Sequence, residues 1–140
     1  MKKKIIAFLF ISVVITGCVD VLDRLSLESS LKRTILSIKS EYKGIVIEKY
    51  STRELIMPPT HLKVLTLKKD TIDISPNEEI VDNIKIGDTI QKIKNENMVF
   101  VKNSDGISKK YFYIKISQEE RSHKKFPKEW KYKWKEATVE

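Results

Sequence analysis

The side chains able to do chemistry are few and scattered. His61, His123, the single Cys18 and the carboxylate pairs Asp70/Asp73 and Glu78/Glu79 make up most of the conventional catalytic and metal-binding repertoire. His61 follows Pro58-Pro59-Thr60 at the mouth of a strand, where a histidine more often serves the surface than a metal. His123 lies among Arg121, Lys124 and Lys125, a field that discourages a cation. No H-x-x-x-H pair, EF-hand loop, P-loop or G-x-S-x-G elbow occurs. Paired carboxylates perform glycosidase chemistry only at defined separations across a cleft, and nothing in these spacings requires one. The expectation is a protein that is not an enzyme and uses no metal and no cofactor.

The sharper pattern is aromatic. Phe126-Pro127-Lys128-Glu129-Trp130-Lys131-Tyr132-Lys133-Trp134-Lys135 sets Trp130, Tyr132 and Trp134 at alternate positions. On a strand these three rings share one face and the lysines the other. Such a face can stack on sugars, sit at a membrane interface with lysines on phosphates, or insert into a partner. It can equally be the buried side of one more strand, the commonest meaning of apolar alternation. Trp130, Tyr132 and Trp134 are the candidate binding residues.

Cys18 acquires its meaning from the residues before it. Lys2, Lys3 and Lys4 form a basic start, Ile5 to Ile15 a short apolar run interrupted by Ser12, and Ile15-Thr16-Gly17-Cys18 closes it. This is the plan of a secretory signal peptide. The run is too short for a transmembrane helix, which needs roughly 20 apolar residues. Ile15-Thr16-Gly17-Cys18 resembles the lipobox of bacterial lipoproteins. The resemblance implies cleavage before Cys18, a diacylglyceryl group on its sulfur and a further acyl chain, such as palmitate, on the new amino terminus. Two or three chains make membrane release negligible. Val19, rather than Asp, follows the cysteine; by the sorting habit of such lipoproteins this implies the outer membrane, on either of its faces.

Loss of residues 1–17 would remove three lysines and no acid, taking the formal charge from +8 to +5. The residual basic excess suits anionic lipid or an acidic partner, whereas nucleic acid is not expected outside the cytoplasm. With Cys18 acylated, no thiol remains for a disulfide, so a small domain must be held by packing alone.

The elements that would position these groups follow from periodicity. Leu31, Ile35, Ile38 and Tyr42 fall at helical spacing, predicting an amphipathic helix over 28–39 capped by Ser26 or Ser29. From Lys43 the period becomes strand-like: 44–50 first, then 62–67 beyond the Pro58-Pro59 loop, then 71–74 after a turn at Lys69-Asp70. Ser75-Pro76-Asn77-Glu78 has the form of a capping box with proline at the first helical position, predicting a short helix over 76–83 with Ile80, Val81 and Ile84 inward. Three more strands are expected at 84–93 (kinked at Gly87), 98–102 and 110–116, and 118–125 reads as a charged linker.

Three strands, a short helix and three strands resemble the element order of an OB-type barrel; an SH3-like barrel shares much of it. The chain is thus expected to be mainly β: a signal peptide (1–17), a lipid-anchored tether (18–27), a helix plus small barrel (28–117) and a basic aromatic segment (118–140). Ile84 to Lys92 also resembles the I-x-x-G-D-S-I-x-K stretch of small bacterial lipoproteins, with Thr89 where those have serine. The function expected is an accessory protein-binding module tethered to the envelope by its diacylglyceryl-cysteine. The alternative is glycan or lipid-headgroup binding through the aromatic segment.

Overall fold

The β-branched run that starts at Lys43 builds the sheet on which everything else is mounted. The computed structural model describes the backbone of residues 2–52 and 57–140 and the side chains of 21–52 and 57–140; Cys18 lies outside the described side chains. One helix, α1 (Lys2–Lys39), leads into β1 (Tyr42–Tyr50), β2 (His61–Thr66) and β3 (Thr71–Ile74). A short α2 (Glu78–Asn83) precedes β4 (Thr89–Lys92), β5 (Met98–Lys102) and β6 (Ser108–Phe112). The six strands form one antiparallel sheet in the order β3-β2-β1-β4-β5-β6. The protein is therefore mainly β, with the short helix where the element order required it.

β1 is the spine. It pairs with β2 along its length and with β4 at its start. The register slips between Val46 and Glu48, leaving Ile47 as an extra residue; such a bulge sharpens twist and bend. Gly44 faces Thr66 on one side and Ile90 on the other. A Cβ there would lie 2.3 Å from the Leu65 carbonyl oxygen and 2.6 Å from Val64 Cγ1. No side chain fits, and this close approach lets the sheet coil. The concave face buries Val46, Leu62, Val64, Ile90 and Val99, and α2 closes it from below with Ile80, Val81 and Ile84. Each such side chain contributes roughly 1.5–3 kcal/mol by leaving water. No ladder joins β3 to β6 among the described residues, so the sheet is open.

Several local expectations are corrected. α1 does not start at a Ser26 or Ser29 cap but runs through both, and Tyr42 opens β1 rather than continuing the helical stripe. α2 begins at Glu78 with Asn77, not Ser75, as its cap; Asn77 Oδ1 accepts from the Glu79 N–H at 3.0 Å. The delay has a cause: Pro76 is buried and the Asn77 N–H is donated to the Tyr113 carbonyl at 2.7 Å. Residues 85–88 form a turn rather than a kinked strand. Gly87 takes φ 95°, and the buried Asp88 carboxylate accepts from the Lys85 N–H at 2.8 Å. The Gly-Asp pair thus serves the backbone: Gly87 N–H and Asp88 C=O both pair with Val46.

The C-terminal segment departs most. Gln118 to Lys125 is no linker: α3 (Gln118–Ser122) is fixed by a complete capping box between Ser117 and Glu120. Beyond it come two 3₁₀ turns, Lys128–Trp130 and Lys135–Ala137, in place of a strand. The chain ends in β8 (Thr138–Val139), parallel to β7 (Ile116–Ser117). This wrap builds a second core of Leu31, Ile38, Ile116, Phe126 and Trp130 against α1.

Candidate functional site

Three buried charged side chains show how the fold is clamped, and they leave one region unclamped. Glu120 accepts from Ser30 Oγ at 2.9 Å and Thr34 Oγ1 at 2.8 Å on α1, besides capping α3. Arg121 donates to the carbonyls of Trp130, Lys131, Lys133 and Trp134. Burial lowers its pKa. Adjacent residues thus hold α1 and the C-terminal wrap. Lys92, 1 % exposed, donates to the carbonyls of Ile38 and Ser40 at the end of α1 and to those of Ile93 and Glu96. Burial pulls its ammonium down to about 8, the Glu96 carboxylate resisting.

The unclamped region is the gap beside β3. A cavity of about 730 Å³ opens there, between the end of α1, the start of β1 and the β2–β3 hairpin. Leu36, Tyr42, Leu67, Ile72, Ile74 and Tyr113 give it an apolar lining, with Lys43, Lys68, Asp70 and Asp73 at its rim. Inward Ile72 and Ile74 and outward Asp73 all border it, so the cavity reaches around the strand to its open edge. On that edge the main chain pairs with no other strand among the described residues. The Thr66 N–H donates to the Asp70 carbonyl at 2.8 Å, and Val64 faces Ile72 and Leu62 faces Ile74. By antiparallel alternation, Thr71 and Asp73 turn their N–H and C=O groups away from β2.

Two tyrosines form the far wall. Tyr42 and Tyr113 meet edge to face with ring centroids 6.1 Å apart. Burial pushes the Tyr42 phenol well above the ordinary tyrosine range and pushes Tyr113 up as well. The Tyr113 hydroxyl adds to the effect on Tyr42, though the two do not meet in hydrogen-bond geometry, and Tyr42 Oη has no partner among the described residues. The Tyr42 and Tyr113 rings thus stand over an apolar floor, with the strand edge beside them.

The residues singled out by sequence do not gather here. Trp130 is 4 % exposed, in the second core, whereas Tyr132 is 76 % exposed. Trp134 packs partly against that core, 6.0 Å from Trp130 between centroids, and its Nε1–H donates to Glu96 at 3.2 Å. The three rings share no face, because 3₁₀ turns rotate successive residues by about a third of a turn instead of alternating them. His61 is engaged locally, its Nδ1 2.8 Å from Thr60 Oγ1 and its ring 5.4 Å from that of Tyr50. His123 Nδ1 accepts from the Lys125 N–H at 3.2 Å. No cluster of three or more metal-ligating side chains occurs among the described residues.

Sequence reasoning missed Tyr42, Ile72, Ile74 and Tyr113 as site residues. One signal was available: β3 is short and runs into Ser75-Pro76, and proline marks a sheet edge. Comparison with protein-family models, curated proteins and solved structures finds no match.

Proposed function

We propose that this chain is an accessory module of the bacterial cell envelope, anchored in the outer membrane through acylated Cys18, that binds a protein partner by taking an extended segment beside β3. The observation that carries the reading is a free strand edge lying against an apolar cavity. An incoming strand would pair with the main chain of Thr71 and Asp73 and send alternate side chains toward Ile72, Ile74 and Tyr42. It would also occupy the gap between β3 and β6, completing an OB-like or SH3-like barrel from two chains. β3 is short, is preceded by Asp70 and carries Asp73 within it, features that discourage edge-to-edge pairing between copies. They leave the edge open to a partner that brings its own apolar residues. Lipobox, small size and a basic surface support the tethered setting.

The alternative, glycan or headgroup recognition by Trp130, Tyr132 and Trp134, has weaker support, since only Tyr132 is well exposed.

The test is site-specific photocrosslinking in living cells from Thr71 and Asp73, with Tyr132 as the distant control. A discrete protein adduct from the β3 positions, abolished by Thr71→Pro, is expected. Proline there removes an edge N–H without touching the β2 ladder, and the melting temperature of the variant checks that the fold survives. Adducts from Tyr132 with none from β3 would overturn the reading.

A further inference from the structure

The face of α1 turned away from the domain carries its own pattern. Among the described side chains, Leu31, Thr34 and Ile38 are the residues that α1 buries. On the other side Val21, Leu22 and Leu25 are each more than half exposed, as is Leu36, which lies where this face meets the rim of the cavity beside β3. They fall at helical i, i+4 and i+7 intervals with Lys32 and Arg33, which are also exposed. In sequence, Cys18 precedes Val21, Leu22 and Leu25 by three, four and seven residues, the spacing of one helical face.

Of the two acids among the described side chains of this region, one lies off that face and one is neutralised. Asp23 borders a depression with Ser26, Leu27, Ser30 and Ser117, on the side toward the domain. Glu28 is paired with Lys125 at 2.8 Å, which lowers its pKa. What remains is apolar nearest Cys18, then cationic, then apolar again at Leu36, with no acid among the exposed side chains named.

From this geometry we infer that α1 lies in the plane of an anionic membrane surface, its outward face in the lipid interface and the β-sheet domain stacked above it. The inference rests on the lipid-anchor reading for its starting point. Acyl chains on Cys18 would fix the first turn at the bilayer. Val21, Leu22 and Leu25 then sit at the acyl boundary, while Lys32 and Arg33 reach phosphates with their stems on hydrocarbon. Leu36 re-enters the interface at the far end. An upright stalk would instead leave all these apolar side chains in water. The in-plane pose also presents the domain at a fixed height, with the end of α1 and its neighbouring cavity held close to the surface.

The test uses the full chain purified from membranes and reconstituted into vesicles of phosphatidylethanolamine and phosphatidylglycerol. An environment-sensitive fluorophore is placed through Leu22→Cys, Leu25→Cys or Leu36→Cys, with Asp23→Cys and Tyr132→Cys as controls. Lipids bearing spin-label quenchers are expected to remove most of the emission at positions 22, 25 and 36 and little at 23 and 132. The Lys32→Glu/Arg33→Glu variant is expected to lose quenching at 36 while keeping it at 22. Quenching at 22 alone in the otherwise unaltered chain means an upright stalk and overturns the inference, as does equal quenching at all five positions. The mass of the Cys18 peptide reads the anchor separately. Without acyl groups but with quenching at 25 and 36, the in-plane helix stands and the anchor falls; with neither, both fall.

Discussion

Lys92 gives the fold a pH dependence whose sign runs against intuition. Its side chain is buried, with four carbonyl acceptors and, among the described residues, no carboxylate in hydrogen-bond contact. Desolvation disfavours the charged form, and the folded-state value falls from 10.5 to about 8. Below pH 8 both folded and unfolded chains hold the proton, and the cost of burying the charge is present in full. Between about 8 and 10.5 the folded chain has released it and the unfolded chain has not, so stability rises with pH. The interval corresponds to roughly 3 kcal/mol in the limit, of which about 2 kcal/mol accrues by pH 9.5. Tyr42 and Tyr113 act in the opposite sense, because the unfolded phenols ionise first as pH passes about 10. Comparison with Lys92→Met cancels them. The assay is urea unfolding of both proteins at pH 7, 8, 9 and 9.5, followed by tryptophan emission. The stability of the unaltered protein minus that of Lys92→Met should climb by about 2 kcal/mol across this range. A flat or falling difference would refute the reasoning: it would mean that the four carbonyls solvate the ammonium as well as water does.

Gly44→Ala should destabilise by about 1–3 kcal/mol in thermal or chemical unfolding, because the nearest obstacle, the Leu65 carbonyl, is backbone and cannot rotate aside. Trp130→Ala should cost about 3–5 kcal/mol and Tyr132→Ala no more than about 0.5 kcal/mol, a contrast that equal losses in denaturant titration would contradict. Glu120→Ala leaves the Ser117 cap in place but removes the acceptor for the Ser117 N–H and for both hydroxyls on α1, at about 2–4 kcal/mol. Hydrogen exchange should then quicken across 118–139 while β1, β2 and β5 stay protected; uniform quickening would show that the wrap and the sheet unfold together.

How much of this was legible beforehand depended on the range of the interaction concerned. Strand period, the Pro58-Pro59 break and the helix between the third and fourth strands follow from neighbours in sequence, since side-chain alternation and missing N–H donors act locally. The Ser117-Glu120 box was local too, and its signature stood in the sequence inside what reads as a charged linker. The sequence by itself determined the mainly β character, the inward residues of α2 and the amphipathic stripe of α1. Tertiary structure alone decided the rest. The aromatic segment alternates like a strand, yet Arg121 gathers four of its carbonyls and so bends it into 3₁₀ turns that bury Trp130 and expose Tyr132. The cap of α2 moved from Ser75 to Asn77 because the Asn77 N–H is taken by Tyr113. The cavity beside β3 joins residues from α1, β1, the β2–β3 hairpin and the chain after β6. No periodicity encodes such a meeting; it exists because the sheet coils at Gly44 and stops short of closing.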